Sequence, residues 1–257
     1  MKFSIITPTF NSEKTISKNI NSIISQSFKD WEQIIIDNSS TDNTIDLVKK
    51  FKNTNIKIIS EKDDGIYNAI NKGILNSKGE IISILHSDDY FHSDDVLNCI
   101  NDIYQNRNID IVYGDLLYVN KNYKPLRYWK SNKYHEKSFL LGWSPPHPSF
   151  FVKKKLHDLY GLYSENLGNP ADFEMMYRFL YKNNISNYYF NKILVEMRYG
   201  GVSNNKIFNI ISQNITILKI LNIHLKPVKV FKFLIFKIIN RLKQFKDINK
   251  VTKNEII

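Results

Sequence analysis

A chain of 257 residues with 42% apolar side chains is long enough for one α/β domain plus an appendage, and its apolar content excludes a disordered polypeptide. The single cysteine, Cys99, excludes an intrachain disulfide and a multi-cysteine zinc site. The net charge of +11 is lopsided: from Asn205 onward eleven Lys/Arg face two acidic residues, so +9 lies in the tail and +2 in residues 1–204, a distribution that argues against a nucleic-acid partner for the folded body.

In chain order, Phe3 to Thr7 is a β-rich apolar run, and Asn11 or Ser12 can cap a helix reaching about Ser27. The start from Met1 to Thr9 reads as a buried strand rather than an export signal, and no uncharged apolar run nears the ~20 residues of a membrane span. The expected location is therefore the cytoplasm. Trp31 to Asp37 is a second strand, with a helix from about Asp42 to Phe51. Ile56 to Ser60, a helix from about Gly65 to Asn76, Ile81 to His86, and a helix from Asp94 to Gln105 continue the alternation. Apolar strands alternating with helices predict a mostly parallel sheet covered on both faces. Residues 110–130 predict shorter strands, including Ile111 to Tyr113 and Leu116 to Asn120. A Pro-rich loop, Gly142 to Pro148, leads into an extended Ser149 to Val152. Pro170 to Lys182 is expected to be helical and Tyr188 to Met197 extended. The last fifty residues predict two helices broken at Pro227.

Polar residues gather at the predicted carboxyl ends of the first four strands: Thr7 to Asn11, Asp37 to Asp42, Glu61 to Gly65, and His86 to Asp89. Ligands of such sheets bind at that edge. Each cluster also has a plain reading, since Asp42 can cap a helix and Asp64-Gly65 can form a turn. Asp88-Asp89 is harder to explain structurally. Two adjacent carboxylates after a buried run repel each other, and a hard divalent cation such as Mg²⁺ or Mn²⁺, shared with phosphate oxygens, relieves that repulsion.

Six ordered motifs carry a resemblance over residues 2–204. They are Ile5-Ile6-Thr7-Pro8-Thr9-Phe10-Asn11, Ile36-Asp37-Asn38-Ser39-Ser40-Thr41-Asp42-Asn43-Thr44, and Glu61-Lys62-Asp63-Asp64-Gly65-Ile66-Tyr67-Asn68-Ala69-Ile70-Asn71-Lys72-Gly73. They continue with His86-Ser87-Asp88-Asp89, His147-Pro148-Ser149-Phe150-Phe151 and Arg198-Tyr199-Gly200-Gly201-Val202-Ser203. The chain resembles the inverting family 2 glycosyltransferases of GT-A fold, in the branch that builds bacterial surface polysaccharides.

That resemblance implies a GT-A domain over 1–204, with a nucleotide-binding half (1–115) and an acceptor and catalytic half (116–204), followed by a basic helical tail at 205–257. It implies transfer of a sugar from a nucleotide-sugar, UDP foremost, to a saccharide or lipid-linked acceptor with the help of Mn²⁺ or Mg²⁺. By the same resemblance Thr7, Pro8, Thr9, Phe10 and Asp37 form the nucleobase pocket. Asp64 and Asn71 belong to the base and ribose site, Ser87 takes the first place of the family's Asp-x-Asp motif, Asp88 meets the ribose and Asp89 holds the metal. The catalytic base is expected at Asp172, with Glu174 as the alternative, because Ala171-Asp172-Phe173-Glu174 stands where the family places an acidic pair at a helix start. An inverting attack needs such a carboxylate to take the acceptor's proton. His147 is a candidate for the acceptor site, and Arg198 for the diphosphate in place of the family's histidine.

In the tail, Val228, Phe231, Leu234, Ile235, Ile238, Leu242 and Phe245 fall on one helical face among seven Lys/Arg between Lys226 and Lys246, with Phe233 and Phe236 out of place. This pattern predicts an interfacial helix drawn to anionic lipid at the inner face of the membrane, against the alternative of a helix packed on the domain. Two competing functions stay open. A sugar-nucleotide-forming nucleotidyltransferase would need a Gly-rich basic loop after the first strand, which Thr7 to Ser12 lacks. A non-catalytic scaffold is kept open by the altered acidic pair.

Overall fold

The computed structural model describes residues 1–200, 207–246 and 248. The chain begins β1 (Phe3–Thr9), α1 (Ile16–Ile24), β2 (Trp31–Asp37), α2 (Thr44–Lys50), β3 (Ile56–Ser60), α3 (Ile66–Leu75), β4 (Ile81–Ile84), β5 (Tyr90–Phe91) and α4 (Val96–Asn106). It continues with β6 (Ile111–Val119), β7 (Pro125–Trp129), β8 (Phe150–Lys153), α5 (Lys155–Tyr160), α6 (Ala171–Tyr177), β9 (Asn187–Arg198), α7 (Ile207–Ile220) and α8 (Pro227–Lys246).

The strands form one sheet in the order β3-β2-β1-β4-β8-β6-β9-β5, with β7 paired to β6. The first four in that order are parallel, as the strand–helix alternation predicts. Beyond them the sheet is mixed: β8 runs antiparallel to β4 and β6, β9 parallel to β6, and β7 antiparallel to β6. Loops and turns rather than helical crossovers lead into β7 and β8, and such connections favour antiparallel neighbours. Side chains alternate between two cores, one on each face. Ile6, Ile34, Phe150 and Met176 pack on one side, and Phe3, Ile5, Leu97 and Phe151 on the other. With both faces covered, β1, β2, β4 and β6 are buried along their whole length.

Three local departures from the sequence reading have physical causes. Helix α1 starts at Ile16, later than expected, because the residues before it are committed sideways: Asn11 N–H donates to Ser40 Oγ at 2.8 Å and Ser12 N–H to Thr44 Oγ1 at 2.7 Å. The two short strands expected at 111–120 are one strand with a bulge at Gly114–Asp115, where the register to β9 shifts. The helix expected over Pro170 to Lys182 is α-helical to Tyr177 and then widens into a π turn at Arg178–Lys182.

Pro227 opens α8, where its missing N–H costs nothing. Helix α8 docks on the domain through Phe233, which is fully buried. Asn240 Nδ2 donates to Leu141 O at 3.2 Å, and Lys237 Nζ to Asn214 Oδ1 at 2.7 Å. Gly142, at φ 66°, lets α8 approach: a Cβ there would lie 2.8 Å from the Lys237 backbone nitrogen. Phe233, out of place in the sequence pattern, is thus the anchor, while Val228, Phe231, Ile238 and Leu242 stay exposed at 60% or more. Among the described residues no helix is long and apolar enough to cross a membrane.

Candidate active site

The carboxyl ends of the parallel strands open on a cleft of about 600 Å³. Two loops join to make one wall. Asn38 N–H donates to Thr9 O, and Thr41 N–H to Asn11 Oδ1, both at 2.9 Å. Asn11 and Ser39 take left-handed φ values of 47° and 51° in these loops, a conformation rare outside glycine. Pro8, Thr9 and Phe10 line the cleft, and Phe10 is exposed. Thr7 lies beneath them, buried, its Oγ1 accepting from Gln33 Nε2 at 3.0 Å. Asp37 is fully buried as well. Ser40 N–H and Ser60 Oγ donate to its Oδ2 at 3.0 and 2.6 Å, and Ser40 Oγ donates to Oδ1. Three of roughly four acceptor positions on this carboxylate are therefore taken. Asp37 holds the 38–42 loop in shape, and its neighbour Asn38 stands on the cleft wall.

Two residues expected at the base and ribose site stand elsewhere. Asn71 is buried, and its amide is consumed by the 163–165 segment: Nδ2 donates to Tyr163 O at 2.9 Å and Glu165 Oε1 at 2.8 Å, and Oδ1 accepts from Tyr163 N–H at 3.0 Å. Asp64 is exposed and off the cleft wall, and the preceding Asp63 lines it instead. Asp63 is buried; Oδ1 accepts from Lys72 Nζ at 2.7 Å, and Oδ2 has no partner among the described residues. The sequence places two adjacent acids before Gly65 and does not say which turns inward; the Lys72 contact decides it.

Ser87 and Asp88 line the same cleft, with Ser87 Oγ 2.7 Å from Ser12 Oγ. Asp89 is completely buried behind them. Its Oδ1 accepts from Arg198 N–H at 3.3 Å, and its Oδ2 has no partner among the described residues. Burial, reinforced by the charge on Asp88, holds its carboxyl well above the usual carboxylate range. Asn19 pins this turn by donating from Nδ2 to His86 O at 2.9 Å and Asp89 O at 3.0 Å. An orphaned carboxylate oxygen beside a second carboxylate fits a hard divalent cation. No cluster of three or more metal-ligating side chains occurs among the described residues, so phosphate oxygens of a ligand in the cleft would have to complete the coordination. Arg198 lines the cleft too; it reaches Asp89 through its backbone, and the Gly201-Val202-Ser203 end of its motif lies outside the described residues.

A second cleft, of about 620 Å³, meets the first at Ile66, His86 and Met197. Asp172, at the second position of α6, lines it. Burial lifts the Asp172 carboxyl to about 6, opposed by the hydrogen bond from Phe173 N–H at 2.6 Å and by the charge of Lys237. Lys237, in turn, is pushed down to about 8 by burial and by the nearby Arg241. Glu174 faces away from the cleft chemistry: Arg178 grips it with Nε at 3.0 Å from Oε1 and Nη2 at 3.1 Å from Oε2. That guanidinium also donates to the carbonyls of Gly161 and Leu162, so the pair fastens α6 to the preceding loop. His147 lines the second cleft, buried, with Nε2 2.7 Å from Tyr163 Oη. Burial brings its imidazole down to about 3, leaving it neutral at physiological pH.

Known proteins are similar to this chain. The UDP-Glc:alpha-D-GlcNAc-diphosphoundecaprenol beta-1,3-glucosyltransferase WfgD of Escherichia coli is 34% identical over 120 residues, 46% of this chain and 47% of that protein, so the match spans about half of the relative. The crystal structure of S. aureus TarS 1–349 in complex with UDP superposes with a TM-score of 0.65 at 22% identity, covering 87% of this chain and 72% of that one. The mannosyltransferase PcManGT from Pyrobaculum calidifontis, solved with GDP-Man and Mn²⁺, gives 0.63 at 14% identity, covering 88% and 64%. These likenesses give the fold as GT-A. Glycosyl transferase family 2 matches residues 4–161, which hold every residue lining the first cleft except Met197 and Arg198, and the chain belongs to that family.

Proposed function

We propose that this protein is an inverting, metal-assisted glycosyltransferase that moves a sugar from a UDP-sugar to a saccharide or lipid-linked saccharide in bacterial surface polysaccharide synthesis. The observation that carries this reading is the meeting of two clefts at Ile66, His86 and Met197, with the acidic pair on one side and Asp172 on the other. A nucleotide-sugar with its nucleoside in the first cleft would present its anomeric carbon at the junction. UDP is favoured by the TarS complexes with UDP and UDP-GlcNAc and by the UDP-glucose in the name of WfgD. The acceptor class follows the diphosphoundecaprenol-linked sugar in that same name.

In this reading Pro8, Thr9, Phe10, Asn38 and Asp63 cradle the nucleoside, with Asp37 holding the loop that presents Asn38. Asp88 meets the ribose. Asp88 and Asp89 would hold the cation, which would offset charge on the leaving diphosphate. Asp172 accepts the proton of the acceptor hydroxyl as that oxygen forms its bond to the anomeric carbon and the bond to the diphosphate breaks on the opposite face. A base lifted to about 6 is ionised at neutral pH yet more basic than an ordinary carboxylate. His147, neutral and tied to Tyr163, shapes the acceptor wall. In the tail the two competing readings fall on different faces of α8: it packs on the domain through Phe233, and its exposed apolar stripe, flanked by lysines, suits the surface of an anionic membrane.

Thermal unfolding with UDP, GDP or dTDP, each with Mn²⁺ or with EDTA, tests the donor side. UDP with Mn²⁺ is expected to raise Tm by several degrees, and the Asp89→Asn variant to lose that gain. Equal stabilisation in EDTA would sink the metal role of Asp89, and stabilisation by GDP alone would sink UDP.

A further inference from the structure

A third cavity, of about 310 Å³, lies between β7, the 142–144 loop and α8. It is continuous with the Asp172 cleft, sharing Tyr118, Trp129, Lys237 and Arg241 with it. Among the described residues five cations line it, Arg127, Lys130, Lys237, Arg241 and Lys243, and no acidic residue does. None of the five is ion-paired to a described acid. Arg127 is only 6% exposed, and its Nε is buried without a hydrogen-bond partner among the described residues. Its guanidinium rests 3.7 Å from the centre of the Tyr118 ring, which orients it.

A buried guanidinium N–H left unpaired is costly, and like charges in one cavity repel. An anion with several oxygens relieves both, and phosphate matches the planar fork of arginine. We propose that this cavity is a subsite for a phosphate or diphosphate group carried by the sugar acceptor, with Arg127 and Arg241 as its principal ligands. The proposal rests on the reading of the Asp172 cleft as the acceptor site. The order of the cavities supports it: donor crevice, Asp172, basic cavity. An acceptor whose hydroxyl faces Asp172 then extends its phosphorylated end among these cations. The selectivity is for anionic acceptors over neutral saccharides.

The test is calorimetric titration of the full-length protein with inorganic diphosphate in EDTA, which silences cation-assisted binding in the donor crevice. Saturable binding at one site per chain is expected, weakened on the order of tenfold by Arg241→Gln and by Arg127→Gln. Arg241 is exposed, so its variant reports on the site even if the buried Arg127 variant misfolds. Wild-type protein that gives no binding, or an Arg241→Gln variant that binds as tightly as wild type, overturns the subsite. Phosphatidylglycerol vesicles separate the two sources of phosphate. If Arg241→Gln loses vesicle binding while keeping diphosphate affinity, the cavity serves lipid headgroups and the proposal is wrong. UDP–Mn²⁺ stabilisation is read in parallel. Protein that responds to UDP–Mn²⁺ but not to diphosphate overturns this subsite alone. Protein that binds diphosphate but no nucleotide overturns the assignment to an acceptor.

Discussion

Asp172 combines a burial-raised carboxyl, a position on the second cleft and a cationic neighbour in Lys237. Replacing it with asparagine should lower kcat by about 10²- to 10⁴-fold, the usual worth of a general base, measured by sugar transfer at saturating donor. For the wild type, kcat should rise with pH through about 6 and level off above it. Stability follows the opposite sign. The folded state keeps a proton on Asp172 between about 4 and 6 that the unfolded state has released, so this residue's contribution falls as pH rises through that window. Asp172→Asn is therefore expected to melt higher than wild type at pH 7, by on the order of 2 kcal/mol once partial solvent exposure is allowed for. A variant that is less stable and fully active would contradict both halves of the argument. On the donor side, Asp63→Asn should weaken UDP binding about tenfold, through the cleft wall and the Lys72 contact, while Asp64→Asn should leave it within twofold.

Among the elements, α8 does two jobs with two faces. Phe233 is fully buried against the core that contains Met176 and Ile217, whereas Phe231, two residues earlier, is 65% exposed. Phe233→Ala should cost about 3 kcal/mol in chemical denaturation, and Phe231→Ala less than about 0.5 kcal/mol. Equal losses would mean that α8 docks by a different face. The β5–β9 pair illustrates another aspect of the fold. Two residues, Tyr90 and Phe91, pair with Glu196 and Val195, and Glu196 accepts from Tyr90 Oη. This short ladder draws β9 alongside the acidic turn and brings Arg198 N–H to Asp89. A two-residue strand carries too little periodicity to be read from sequence.

At the scale of the whole molecule, the basic tail and the folded body meet along one surface. The outer face of α8 presents Val228, Phe231, Ile238 and Leu242, with Lys232 and Lys243 beside them. Full-length protein should sediment with vesicles containing phosphatidylglycerol at low salt, and Phe231→Ala should reduce the bound fraction severalfold. Retention should fall steeply as ionic strength rises past about 0.15 M, because the electrostatic part is screened. Failure of the wild type to bind at low salt would leave α8 as a packing helix only.

The first four strands were legible in the amino-acid sequence because strands covered on both faces are continuous apolar runs, such as Ile34 to Ile36, between turn residues. The crevice was legible too, since polar clusters at the ends of parallel strands converge on one edge. Adjacency in sequence could not say which member of a pair turns inward. Asp63 rather than Asp64 lines the first cleft, and Asn71 is drawn off to Tyr163 and Glu165. It also could not show the basic cavity, whose Arg127 and Arg241 lie on a strand and a helix far apart along the chain. Local pattern is set by burial period and turn chemistry, which a sequence carries residue by residue. Which carboxylate is left without a partner, and which cations share a cavity, depend on contacts between distant segments, and those exist only once the sheet has closed and α8 has docked.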